Sequence, residues 1–457
     1  MSESPAGWNS FTLRDLGGLS GGKTPSKANA EFWSNRDVPW VSPKDMKRDL
    51  LEDAEDRISQ VAVDEAGMVL YPAGSVLMVT RSSILQHTFP VALAATELTV
   101  NQDIKVLRPV DGITPKFAFY LLKGLGGKIL SACAKDGTTV QSIDSEKLES
   151  FPLPIPSTAE QIRIAAKLDE LLAQVDTLKA RIDGVPALLK RFRQSVLAAA
   201  VSGRLTETWR ELQTQKTSGA EISPAGWAET VFGDICREIT VGYVGKMADQ
   251  YQEEGVPFLR SQNVRPMRFS QENILYISEE FHSSILKSRL EPGDLAIVRS
   301  GAPGVTCVIP ESLPVANCSD LVIARPSEKL NPWFGCIYMN SEVAQRNVAE
   351  NQVGVAQQHF NVGSMKKMPI NLPPLAEQIE IVHRVEQLFA FADQLEARVK
   401  AAQVRVDRLT QSILAKAFRG ELVPQDPNDE PASLLLERIK AQRTAAPKAK
   451  RRSKALP

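Results

Sequence analysis

The chain has 457 residues, 54 Lys+Arg against 54 Asp+Glu, a formal net charge of zero and 43% hydrophobic residues. That length suggests two or three domains with ample material for buried cores, and zero charge argues against a general polyanion binder. No apolar run approaches a membrane span, and five scattered cysteines without a CxxC pair, beside four histidines, indicate neither a disulfide framework nor a zinc site.

The amino terminus, Met1-Ser2-Glu3-Ser4-Pro5, lacks the charged and apolar regions of a signal peptide, so the chain reads as cytoplasmic. Residues 1–150 form a first globule. Within it Gly17-Gly18-Leu19-Ser20-Gly21-Gly22-Lys23-Thr24 satisfies the pattern GxxxxGK[ST]. A phosphate-binding loop needs a buried strand before it and a helix starting within it. Here Ser10 to Leu16 is half polar and Pro25-Ser26-Lys27 reads as a turn. The second-copy stretch Gly245-Lys246-Met247 lacks the hydroxyl that would bind magnesium, so nucleotide binding is not expected.

From residue 151 to 205 a long helix is predicted. Leu168, Leu171, Val175, Leu178, Ile182, Val185, Leu189, Phe192 and Val196 alternate in steps of three and four, the spacing of a coiled-coil seam. Pro154 and Pro156 fit its entry and Gly203 its exit. About 45 residues at ~1.5 Å each give a rod of roughly 65 Å. Gly184-Val185-Pro186 lies inside it, and an interior proline predicts a kink or short break there. Residues 206–222 read as a linker.

A second globule follows over 223–368, and then a second helix over 369–422. Pro156-Ser157-Thr158-Ala159-Glu160-Gln161-Ile162 returns 217 positions later as Pro373-Pro374-Leu375-Ala376-Glu377-Gln378-Ile379, and the offset holds through Gly203 and Gly420. Val385, Leu388, Ala392, Leu395, Val399, Ala402, Val406, Leu409 and Ile413 repeat the seam. Leu171, Val175, Leu178, Ile182, Leu189 and Phe192 should therefore pack with Leu388, Leu395, Val399, Val406, Leu409 and Ile413. The globules correspond more loosely: Ser4-Pro5-Ala6-Gly7-Trp8 matches Ser223-Pro224-Ala225-Gly226-Trp227, and Leu77 to Ser82 matches Leu295 to Ser300. This is a duplication. Asn331-Pro332-Trp333-Phe334 is near the NPP[FY] motif of adenine methyltransferases but lacks the second proline. The first copy has Thr114-Pro115-Lys116-Phe117 there, so a helix N-cap followed by proline explains both. His87, His282, His359 and His383 form no catalytic spacing with Ser, Cys or Asp. Residues 423–457 read as a short helix and a disordered basic tail.

Three groups of residues together resemble the specificity subunit of type I restriction–modification enzymes. They are Gly21-Gly22-Lys23-Thr24-Pro25-Ser26 with Val38-Pro39-Trp40-Val41-Ser42-Pro43-Lys44, Pro292-Gly293-Asp294-Leu295 ahead of Ile297-Val298-Arg299-Ser300-Gly301, and Pro373-Pro374-Leu375-Ala376-Glu377-Gln378. Leu189-Lys190-Arg191-Phe192-Arg193-Gln194 and Gln411 to Leu422 look like the enterobacterial, K-12-type (type IA) subfamily. The resemblance implies an α+β chain: two mixed α/β target-recognition globules joined by two long repeated helices that form an antiparallel coiled coil. It implies a non-catalytic subunit in which each globule reads half of a split double-stranded DNA site and the helices set the spacer. Two modification subunits would supply S-adenosylmethionine and methylate adenine N6, and restriction subunits would supply ATP- and Mg-dependent translocation and cleavage. This chain would hold no cofactor or metal itself. The competing expectation is a coiled-coil scaffold that binds only protein.

DNA contacts should lie on loops bearing Arg, Lys, Asn or Gln. The second globule offers Arg260, Gln262, Asn263, Arg265, Arg268, Arg299 and Gln358, and the first offers Lys44, Lys47, Arg48, Arg81 and Gln141. The globules themselves are mildly acidic, with 16 basic against 19 acidic residues in 1–150 and 13 against 17 in 221–368. Non-specific attraction to DNA by this chain alone should therefore be weak.

Overall fold

The computed structural model describes residues 7–135, 141–216, 226–350 and 359–445. The chain divides into two compact units, Met1–Ile182 with Ala402–Pro457, and Asp183–Ala401. Each unit thus combines one globule, the first half of its own long helix and the second half of the other. Among the described residues no helix is long and apolar enough to cross a membrane.

In the first unit a five-stranded sheet runs Gly17–Gly21, Ile104–Pro109, Val76–Val79, Val91–Ala94 and Leu50–Leu51. Val76–Val79 is buried at all four residues, as a strand covered on both faces must be. A smaller sheet holds Val38–Val41 between Arg57–Ile58 and Thr99–Val100, the last pairing parallel to it. The second unit has a four-stranded sheet, Cys236–Val241, Leu321–Pro326, Leu295–Val298 and Thr306–Val308. Beside it a five-stranded sheet contains the parallel pair Val256–Leu259 and Ala316–Cys318.

Each globule is closed in the same way. Asn9–Thr12 pairs antiparallel with Pro152–Ile155, and Ala228–Val231 with Pro369–Leu372. The start of the globule is therefore brought to the start of its helix. There Trp8 donates to Glu160 Oε1 (3.0 Å) and Trp227 to Glu377 Oε2 (3.1 Å). Gln161 accepts from the Thr114 N–H (2.9 Å) and donates to the carbonyls of Gly112 and Pro156. Gln378 accepts from the Asn331 N–H (2.7 Å) and donates to those of Lys329 and Pro373. Buried side chains that must satisfy the same backbone groups twice account for the repeated Ala-Glu-Gln.

The long helices are Thr158–Val201 and Leu375–Ala417. In the first unit Arg163 meets Asp429 (2.7 Å) and Lys179 meets Asp407 (3.0 Å). In the second, Arg193 meets Asp393 (2.6 Å) and Arg384 donates to the Leu205 carbonyl (2.8 Å). In both, rising numbers on one strand of the pair meet falling numbers on the other, so the packing is antiparallel. Gly203 (φ 76°) and Gly420 (φ 73°) end the helical segments in the left-handed conformation that favours glycine.

Several expectations need correction. The short break expected as one possibility at Pro186 is not there, since the first helix is continuous from Thr158 to Val201. Proline removes one N–H and so one helical hydrogen bond, and the Pro186 side chain lies on the exposed face. Along the seam, Val175, Leu189 and Ile413 are buried, and Leu171, Ile182, Phe192, Leu388, Leu395, Val399 and Val406 are half-buried. Leu178 and Leu409, however, are 45% and 42% exposed. Two helices without a third layer cover only one flank of each apolar side chain. The stretch expected as a linker contains the helix Glu207–Lys216, with Thr206 and Arg210 buried against Glu377. The C-terminal helix Ala432–Ala445 places Leu435 and Ile439 in the first unit's core. The basic tail beyond it lies outside the described residues. Asn331 caps its helix through the N–H groups of Trp333 and Phe334, whereas the Thr114 hydroxyl makes no such bond.

Candidate nucleic-acid interface

In the first globule the parallel strands Val38–Val41 and Thr99–Val100 end together, and the Asn101 N–H bonds the Val41 carbonyl at 2.9 Å. The loop leaving the first strand is tied by Asp45, which accepts from the Ser42 N–H (2.9 Å) and the Glu55 N–H (2.8 Å). The loop leaving the second carries Asp103, which holds Arg81 Nε at 2.7 Å. Arg81 follows the buried strand Val76–Val79 and is 58% exposed. Beside it, the Ser82 N–H bonds the Gln141 carbonyl (3.0 Å).

The second globule repeats this construction. Val256–Leu259 and Ala316–Cys318 end together, with the Ser319 N–H bonding the Leu259 carbonyl at 3.0 Å. Asn263 ties the next loop by accepting from the Arg260 N–H (3.0 Å) and donating to the Ser270 and Glu272 carbonyls. Arg299, at the end of Leu295–Val298, faces Asp320 at 3.4 Å. Each strand-end arginine is thus aimed by a carboxylate from a neighbouring loop. A guanidinium fixed in this way still has N–H donors to offer in its plane, the geometry that reads a purine edge.

The remaining candidates divide by what they touch. Arg265 and Arg268 oppose each other on a hairpin whose turn residue Met267 has φ 63°. Both are exposed and have no ion-pair partner among the described residues. Lys47 and Arg48 are likewise exposed and unpaired among the described residues. Arg260 and Gln262 are half committed, each donating to the Asn273 carbonyl. Lys44 is ion-paired to Asp56 (2.9 Å) and Glu55 (3.3 Å), and the Asp56 hydrogen bond holds its ammonium above the ordinary lysine range. Asn263 is fully buried and all its polar atoms serve the loop, so it cannot also reach a base. Its residue type suggested DNA, but Asp45 does the same work in the first globule. Gln358 lies outside the described residues.

The structure also brings together groups that sequence spacing did not. Ser300 Oγ and His359 Nδ1 are 2.7 Å apart, and the neighbouring Phe360 N–H bonds the Arg299 carbonyl. They are 59 residues apart, and nothing local in either segment signals the pairing. The GGLSGGKT stretch does not have the form of a phosphate loop: Gly17–Gly21 is an edge strand, and among the described residues the Lys23 ammonium reaches the Ala66 carbonyl (3.5 Å).

Residues 5–187 and 226–404 match the type I restriction modification DNA specificity domain. The chain is 38% identical over 362 residues to the EcoKI specificity subunit of Escherichia coli K12, covering 75% of this chain and 74% of that one. It is 36% identical over 351 residues to the EcoBI specificity subunit of Escherichia coli, covering 74% and 73%. Among solved structures, the HsdS subunit from Thermoanaerobacter tengcongensis aligns with a TM-score of 0.59 at 19% identity, covering 92% of this chain and 98% of that one. A chain from a study of type I R-M complex assembly and conformational transition aligns with a TM-score of 0.63 at 18% identity, covering 92% and 100%.

Proposed function

The chain belongs to the type I restriction–modification DNA-specificity family, and from that premise we propose that each globule reads one half of a two-part duplex site while the paired helices hold the halves at a set spacing. As a specificity subunit it selects DNA sequence and is not the catalytic component. The observation that carries the two-part reading is the strand-end arginine aimed by an aspartate, present once per globule as Arg81–Asp103 and Arg299–Asp320. Similar machinery in surroundings of different sequence suits two different half-sites.

The partners that fit are two modification subunits, one for each copy of the repeat, and the restriction subunits of the same system. S-adenosylmethionine for adenine N6 methylation, and ATP and Mg for translocation and cleavage, belong to those partners. This chain's own groups bind and orient DNA. Because both globules carry an acidic excess, the partners supply much of the non-specific grip.

The test is methylation-site sequencing in cells carrying the system with Arg81→Ala or Arg299→Ala. Each variant relaxes one half-site only, at about 1–3 kcal/mol for the removal of a bidentate pair of hydrogen bonds to a base. Uniform weakening over both halves would reduce these arginines to phosphate contacts and would remove the division of labour.

A further inference from the structure

The second globule has a cationic groove at the open edge of its four-stranded sheet. Cys236–Val241 is an edge strand, so part of its backbone has no strand partner. With Lys287 and with Val362 and Lys366 of the short helix Val362–Lys366, it lines an open groove of about 520 Å³. Lys287 and Lys366 are exposed and have no ion-pair partner among the described residues. Arg237 and Glu238 also line the groove, but each is neutralised, Arg237 by Glu291 (2.8 Å) and Glu238 by Arg325. Thr240 is 4% exposed, and its hydroxyl has no hydrogen-bond partner among the described residues. A buried donor of this kind costs stability unless something supplies an acceptor.

The groove leads to the reading edge. Its strand continues into Gly242 and Tyr243, and the Tyr243 N–H bonds the Cys318 carbonyl at 2.8 Å, where the parallel strands end beside Arg260 and Asp320. On the other side, Val362 follows Phe360, which is bonded to Arg299. Among the described residues the first globule has no counterpart. There Glu149 of the matching helix Ser145–Glu149 neutralises Lys105 (2.5 Å) and Arg14 (2.8 Å).

We propose that Lys287, Lys366 and the Thr240 hydroxyl form a phosphodiester-binding site that seats the DNA backbone against the second globule alone. It rests on the DNA-reading function proposed above and adds a sequence-independent anchor to it. The test uses the complete complex with its modification subunits, titrated with target and unrelated duplexes over a range of salt. Lys287→Ala/Lys366→Ala should weaken binding to every duplex alike. It should also make the slope of log affinity against log salt shallower by about 0.9 for each phosphate that is no longer neutralised. Thr240→Val, which removes a neutral donor, should lower affinity roughly two- to tenfold without moving the slope. An unchanged slope, an altered half-site preference, or weakened subunit assembly in place of DNA binding would each overturn the proposal; the last would mark an acidic protein partner. Absence of sequence preference in the parent complex would instead defeat the two-part reading, and the slope would still report on the groove.

Discussion

Replacing Glu377 with glutamine removes a negative charge from a place where Arg210 is 5% and Glu377 0% exposed. The carboxylate also accepts from the Thr206 hydroxyl (2.7 Å) and from Trp227 Nε1 (3.1 Å). Removing the carboxylate's charge weakens the charge-assisted hydrogen bonds it makes to the guanidinium, which costs about 1.5–3 kcal/mol, or roughly one to two decades in the local opening equilibrium. The same change at Glu160, its partner in the repeat, should behave differently. Glu160 accepts from Trp8, while Arg163 is engaged with Asp429. Burial pushes the Glu160 carboxyl above its ordinary range, against the lowering effects of Trp8 and Arg163. A raised acid binds its proton more tightly in the folded state, so its contribution to stability is present at low pH and is lost as pH rises through the folded value. Burial makes the charged form a burden, and Glu160→Gln should change stability by no more than about 1 kcal/mol in either direction. Hydrogen exchange of the full chain, followed in peptides over 227–241 and 375–390 and over 8–21 and 158–170, separates the two. Equal losses from both substitutions would refute the reasoning.

Asn263→Ala should destabilise the second globule by about 2–3 kcal/mol, at about 1 kcal/mol for each loop hydrogen bond removed. The half-site sequence read by methylation mapping should stay unchanged; a changed half-site would return Asn263 to the interface. Asp294 is 1% exposed, and burial pushes its carboxyl up to about 6, opposed by the Glu291 N–H and Arg325. The folded state therefore holds this proton more tightly than the unfolded chain, and stability of the second unit should fall as pH rises from about 4 to 6. Exchange rates over 295–298 measured across that range should flatten in Asp294→Asn, and an unchanged pH profile in the variant would exclude Asp294 as the source.

The duplication, the two seam helices and the family resemblance were all legible in the chain, because repetition and heptad spacing are written along the sequence. The parts of the candidate site that were legible are residue types on loops. Arg81 and Arg299 stood out because each ends a hydrophobic strand in both copies. Their aspartates did not, because Asp103 and Asp320 are delivered by the ends of other strands. Asn263 and Lys44 looked like free DNA contacts, yet one ties a loop and the other sits between two carboxylates.

By itself, then, the sequence determined what recurs: the apolar register, the proline entries and glycine exits, and the Ala-Glu-Gln pair. Only the tertiary structure decided which polar groups are free. Trp8 and Glu160 are 152 residues apart and Trp227 and Glu377 are 150 apart, and no local periodicity encodes pairings at that range. The physical reason is burial. A polar side chain taken from water must find whatever partner the fold brings to it, and that partner, rather than the residue's own type, determines whether it supports the scaffold or remains available to DNA.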